Sequence, residues 1–166
     1  PRLIVFDLDF TLWDTGGVWI DCTAPPFRQD ADGTVYDSQE RRFQLYPDVL
    51  EILESISTTM PGTKIGIASR TSQPGWVREV LEMMEVTHYF DFNAIYPGSK
   101  IAHFEQLKRE TGFEYAEMVF FDDEPRNIHE VSGLGVNAIE VPSGLNWQVF
   151  ERGASAFQAP RKNPAR

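Results

Sequence analysis

Leu3-Ile4-Val5-Phe6 is an unbroken apolar run that stops at Asp7 and Asp9. It reads as a strand buried on both faces. Residues two apart in extended chain point the same way, so the two carboxylates are expected to share one job. Further along, Val49, Ile52, Leu53 and Ile56 recur at helical spacing and predict a helix over about residues 47–59, which Pro61-Gly62 breaks. Lys64 to Ser69 follows as a second strand ending in a hydroxyl, and Trp76, Val77, Val80, Leu81 and Met84 form the stripe of an amphipathic helix. A third strand is expected from Phe92 to Tyr96. Pro97-Gly98-Ser99 then turns into a helix with Ile101, Phe104 and Leu107 on its buried face and Gly112 as its stop. Met118 to Phe121 repeats the opening design, running into Asp122-Asp123 before Pro125 starts another helix. A strand over Val136 to Val141 and a helix over Trp147 to Phe157 complete the pattern.

Strands that alternate with helices imply an α/β fold: a mainly parallel sheet of about five strands, with helices on both faces and right-handed crossovers. One domain over residues 1–158 accounts for the pattern, and the Pro-rich basic end, residues 159–166, reads as a disordered tail. Residues 13–45 are irregular and polar and read as a flap. Within it, Val18-Trp19-Ile20 and Thr34-Val35-Tyr36 are expected to pair as a short hairpin around the Asp32-Gly33 turn signal. In such sheets the ligand crevice lies at the carboxyl ends of the strands. Asp7, Asp9, Ser69 and Asp123 all fall at that end, and Lys100 opens the helix after the third strand.

The 166 residues carry 25 acidic and 15 basic side chains, a formal net charge of −10. That field opposes a nucleic-acid partner. An anionic substrate would need positive charge supplied locally. Cys22 is the one cysteine, so no intrachain disulfide forms; it reads as a small packing residue in a reducing compartment. No apolar run reaches the roughly 18 residues that span a bilayer, and the chain opens on a strand, so a cytoplasmic monomer is expected, with a nuclear location open.

Two carboxylates as close as Asp7 and Asp9 persist only where a cation binds between them or one takes a proton. Alone, Asp-x-Asp fits solvated turn acids better. The full string of buried strand, Asp-x-Asp-x-Thr and polar landmarks at other strand ends points instead to phosphoryl transfer. Asp7 is then the nucleophile, forming an aspartyl-phosphate. Asp9 is the acid that protonates the leaving oxygen and the base that later activates water. Mg²⁺, a hard cation for oxygen ligands, is expected on Asp7 and Asp123, with Asp122 fixing their orientation. Ser69 would bind a non-transferred phosphoryl oxygen, and Lys100 would offset developing charge. Taken alone, Lys100 reads as a solvated lysine, although a cation in a first helical turn opposes the macrodipole. Arg70 could contact phosphate or form a surface ion pair. Thr11 would brace the acidic loop through backbone hydrogen bonds. His88, His103 and His129 have no ligand or triad spacing and read as structural or exposed. Trp13 and Trp19 could line the mouth or pack.

Together, Asp7-Leu8-Asp9-Phe10-Thr11-Leu12, Ser69, Lys100 and Asp122-Asp123 resemble the four signature motifs of the haloacid dehalogenase superfamily of aspartate-nucleophile phosphotransferases. Asp9 to Trp13, Pro25-Pro26-Phe27, Leu45-Tyr46-Pro47, Ala68 to Ser72, Ile95 to Lys100 and Phe120 to Glu124 resemble its magnesium-dependent phosphatase branch. The resemblance implies a three-layer α/β/α Rossmann-like fold, Mg²⁺ dependence, and the flap in place of a large cap domain. It also implies that Asp7, Asp123 and the Asp9 backbone carbonyl hold the metal, while Ser69, Arg70 and Lys100 contact phosphate. The implied substrates are phosphotyrosine-type phosphoproteins, phosphorylated sugars or glycated amines. The chain departs from the branch in a longer, glycine-containing segment between Trp13 and Pro25. A non-catalytic phosphate-binding module of the same fold is the alternative. A dehalogenase fits less well, because it has no use for the acid Asp9.

Overall fold

The computed structural model describes residues 1–158; the expected tail lies outside the described residues. In chain order the elements are β1 (Leu3–Phe6), β2 (Trp13–Thr15), β3 (Arg28–Gln29), β4 (Val35–Tyr36), β5 (Arg42–Leu45), α1 (Val49–Thr59) and β6 (Lys64–Ser69). They continue with α2 (Pro74–Met83), β7 (Phe92–Ile95), α3 (Lys100–Thr111), β8 (Met118–Asp122), α4 (Pro125–Ser132), β9 (Asn137–Glu140) and α5 (Trp147–Gln158).

β1 is the centre of a parallel sheet ordered β7-β6-β1-β8-β9. Its residues alternate between two cores, which explains the unbroken apolar run. Leu3 and Val5 face α3 and α4 with Phe104, Leu107 and Val131. Ile4 and Phe6 face α1, α2 and α5 with Ile52, Val77 and Phe150. The result is the three-layer α/β/α architecture expected. From β1 the chain moves outward through β6 to β7 and returns to β8 on the other side of β1, so the crevice opens at the carboxyl ends of β1 and its neighbours.

Behind that crevice the strand ends are clamped by aromatic rings. Phe6 stacks on Phe121 at 5.4 Å and 17°, and Phe121 on Phe150 at 5.8 Å. Such a pair contributes about 0.5–1.5 kcal/mol beyond burial. Since Phe6 precedes Asp7 and Phe121 precedes Asp122, the same stack fixes the spacing of the acids.

The flap differs from expectation. It is an antiparallel sheet ordered β2-β5-β4-β3, not one hairpin. The Asp32-Gly33 turn does make a hairpin, but β4 pairs there with β3 and not with Val18 to Ile20, because Arg28–Gln29 is the nearer segment across the turn. Ile20–Cys22 instead forms a single 3₁₀ turn. Trp13, Phe27, Val35 and Phe43 bury the flap against the α1/α2/α5 core, and Phe27 meets Trp76 edge-on at 5.9 Å. Cys22 is exposed, contrary to the packing role expected, because the buried side chain of that turn is Ile20.

Candidate active site

β1 stops at Phe6, so strand alternation does not bring Asp7 and Asp9 together as expected. A tight loop does. The Leu8 carbonyl accepts hydrogen bonds from the N–H groups of Thr11 at 3.0 Å, Leu12 at 2.9 Å and Trp13 at 3.2 Å, with Phe10 left-handed at φ 61°. A phenylalanine in that region is strained, and such strain concentrates at functional sites. The loop returns two side chains to the two acids, each from four residues on. Thr11 Oγ1 donates to Asp7 Oδ2 at 3.3 Å, and Trp13 Nε1 donates to Asp9 Oδ1 at 2.7 Å. Thr11 therefore braces the Asp7 carboxylate directly as well as the loop backbone, and Trp13 is buried and not at the mouth.

Asp9 Oδ2 accepts the Ile20 N–H at 3.0 Å. Burial pushes Asp9 up to about 6, against the opposing hydrogen bonds from Trp13 and Ile20. A carboxyl near that value can both hold and release a proton around neutrality.

Ser99 caps α3 by accepting the Ile101 N–H, which places Lys100 at the first helical position. Lys100 is 1 % exposed, so the solvated reading fails. Its Nζ lies 2.9 Å from Asp7 Oδ1 and 3.1 Å from Asp122 Oδ2, and it donates to the Ala68 carbonyl. Burial alone would lower its pKa, but the two carboxylates outweigh burial and hold the ammonium above the ordinary lysine range. The helix-opening lysine that opposes the macrodipole is thus the cation of a buried acidic cluster.

β8 runs through Asp122, one residue further than the sequence suggested. Asp122 is fully enclosed: its Oδ1 accepts the Glu124 N–H at 2.7 Å, and its Oδ2 accepts Asn127 Nδ2 at 3.0 Å beside Lys100. Asp123 lines the cleft. Burial and the neighbouring Asp7 charge push Asp122 up to about 6 and Asp123 up to about 8. The carboxylates of Asp7, Asp122 and Asp123 offer oxygens that all lie within 4.8 Å of one another. Asp9 is outside this set because Trp13 and Ile20 hold its side chain. An all-oxygen donor set whose carboxyls resist ionisation together suits a small hard cation such as Mg²⁺.

Ser69 ends β6 and Arg70 follows it, both on the cleft wall. Arg70 Nη1 donates to Asn127 Oδ1 at 3.1 Å, a neutral partner rather than the surface ion pair considered above. His103 is buried with Nε2 at 2.8 Å from the Ser69 carbonyl and Nδ1 at 2.9 Å from the Ser99 carbonyl, a structural role as read. Five separate segments thus supply one cleft.

The acid phosphatase family model matches residues 1–160 of this chain. The chain belongs to the acid phosphatase family. It is 44 % identical over 168 residues to Magnesium-dependent phosphatase 1 of Homo sapiens, covering 100 % of this chain and 92 % of that relative. It is 37 % identical over 153 residues to a HAD-like hydrolase superfamily protein of Schizosaccharomyces pombe, with 84 % and 85 % covered. A HAD-superfamily hydrolase structure from Ehrlichia chaffeensis superposes with a TM-score of 0.63 at 15 % identity, over 95 % of this chain and 98 % of that one. L-2-haloacid dehalogenase from Xanthobacter autotrophicus does so with a TM-score of 0.62 at 14 % identity, over 93 % and 82 %. At these identities the structures share the fold, which is the haloacid dehalogenase fold that the motifs resembled.

In this acid phosphatase family member, sequence reading missed Asp21 and Asn127. Asn127 links Asp122 to Arg70; an amide in the first turn of a proline-started helix, just after paired acids, was the available signal. Asp21 lies in the 3₁₀ turn of the flap and reaches the loop after Ser69, a contact that no local pattern announces. Trp19, left open between mouth and packing, is exposed at the mouth.

Proposed function

We propose that this chain is a Mg²⁺-dependent phosphomonoesterase that works through an aspartyl-phosphate on Asp7. The observation that carries the reading is the Asp7 carboxylate, fixed by Thr11 and Lys100 at the floor of a cleft with Asp9 and Asp123 on its wall. In the first half-reaction a carboxylate oxygen of Asp7 attacks phosphorus while Asp9 gives its proton to the departing oxygen. In the second, Asp9 takes a proton from the water that opens the acyl phosphate. Ser69 and Arg70 orient the phosphoryl oxygens, and Lys100, 2.9 Å from Asp7, offsets the charge that develops on the phosphoryl group. Asp7, Asp123 and the Asp9 carbonyl would hold the metal, with Asp122 fixing the orientation of its neighbours; the bound ion supplies charge neutralisation between carboxylate and phosphate.

The flap sheet packs beside the crevice with Trp19 exposed at the mouth, which supports an open site that admits phosphotyrosine side chains of proteins as well as sugar or glycated-amine phosphates. The test is release of inorganic phosphate from a panel of such esters with Mg²⁺ and with EDTA. Mg²⁺-dependent release that Asp7→Asn abolishes, in a variant that remains folded, is expected. Phosphate binding without hydrolysis in the metal-replete chain would instead favour the non-catalytic module, and an active Asp7→Asn variant would remove the nucleophile assignment.

A further inference from the structure

Asp21 is an acidic side chain in a cleft that already holds Asp7, Asp9 and Asp123, and the reaction proposed above gives it nothing to do. Its carboxylate is nevertheless engaged at both oxygens. Oδ1 accepts from the Thr71 hydroxyl, and Oδ2 accepts from the Ser72 N–H at 2.9 Å and the Ser72 hydroxyl at 2.5 Å. These bonds join positions 50 and 51 residues apart, so they tie the flap to the loop that carries Ser69 and Arg70. Burial would raise the Asp21 carboxyl, but the bonds from Ser72 and Thr71 hold it below the ordinary range, so it stays ionised. The neighbouring residue looks the other way: the Ile20 N–H donates to Asp9 Oδ2, while the Ile20 side chain is buried in the core. Thr71 Oγ1 also accepts the Gln73 N–H at the start of α2, so the far end of the latch rests on a helix.

We propose that Asp21 is a positioning residue: it latches the Ile20–Cys22 turn to Thr71 and Ser72 and thereby holds the Ile20 N–H against Asp9, aiming that acid at the leaving-group oxygen. The inference rests on the reading of Asp9 as the proton donor. With the latch cut, the turn loses its tether to the β6 side of the cleft, and Asp9 keeps Trp13 but not a fixed Ile20. The cost falls on proton delivery more than on phosphate binding, because Arg70 and Lys100 keep partners outside the latch, Asn127 and Asp7.

The experiment compares kcat/KM for phenyl phosphate and p-nitrophenyl phosphate, which have similar shape but leaving oxygens of very different basicity, in full-length wild type, Asp21→Asn and Ser72→Ala with saturating Mg²⁺. This parameter covers steps up to the aspartyl-phosphate, so it reports Asp9 as acid. Asp21→Asn should lose about fivefold more on phenyl phosphate than on p-nitrophenyl phosphate, a fraction of the roughly 10²- to 10⁴-fold that a positioned acid supplies. Ser72→Ala, which removes one exposed donor, should show the same bias at smaller amplitude and carries the test if the Asp21 variant does not fold. In an Asp9→Asn background the Asp21 substitution should leave the ratio unmoved. Equal losses on both esters, no loss, or a further change of ratio without Asp9 would overturn the proposal. If wild type cleaves neither ester, the phosphatase reading falls and this inference with it; if wild type cleaves both and the ratio does not move, this inference alone falls.

Discussion

Replacing Lys100 by Met keeps the length of the side chain and deletes its charge. The ammonium lies 2.9 Å from Asp7 and 3.1 Å from Asp122 at 1 % exposure, so water cannot take its place beside Asp122, which is itself fully buried. Removing one member of a buried ion pair costs about 3–5 kcal/mol. Asp122 retains Asn127 and the Glu124 N–H as donors, and a carboxyl already pushed up to about 6 takes a proton readily. The loss should therefore sit near the lower bound, about 3 kcal/mol at pH 8 without metal. In a chain of 166 residues each kcal/mol moves the midpoint by about 2–4 °C, giving a fall in Tm of about 6–12 °C. Thermal unfolding followed by circular dichroism in EDTA at pH 8 and pH 5.5 measures this. At pH 5.5 the deficit should shrink, because protonation removes the charge left without a partner. A Tm within about 2 °C of wild type at pH 8, or a deficit that grows on acidification, would refute the claim that this lysine holds the cluster together.

Metal-free wild type should lose stability as pH rises from about 5 to about 9. Asp122 and Asp123 have folded values of about 6 and about 8, above the ordinary 3.8, so their protonated forms favour the folded state and that contribution disappears as pH passes those values. Carboxylates held low, such as Asp21 and Asp37, lose their contribution only in acid and do not mask this window. Urea midpoints with EDTA should show the slope, and Mg²⁺ should flatten it; a flat profile in EDTA would count against the cluster. Gly153→Ala in α5 should destabilise by about 1–3 kcal/mol in chemical denaturation, although alanine favours helices by about 1 kcal/mol. An added Cβ would lie 2.5 Å from Phe121 Cζ, against the stack behind the acids. A stabilised variant would show that the stack yields.

Periodicity alone determined the alternation of strands and helices, because burial on two faces demands continuous apolar strands and burial on one demands a helical stripe. It therefore placed β1, β6, β8 and the helices between them, and with them the strand ends where Asp7, Ser69 and Asp123 stand. It could not place the flap strands: two-residue strands such as β3 and β4 carry too little pattern to choose a partner, and nearness across the Asp32-Gly33 turn paired them while Val35 of β4 packed into the core.

The acids of the site were legible as types and spacings, since buried strands seldom run into paired carboxylates without a charge to meet them. What the tertiary structure decided is who meets whom. Lys100 became a buried counter-ion 93 residues from Asp7, Asn127 bridged Asp122 to Arg70, and Asp21 closed across 50 residues onto Thr71. Each of these contacts depends on the fold having already brought distant backbone together, and an electrostatic or hydrogen-bond partner so far along the chain leaves no period or local motif in the sequence that could announce it.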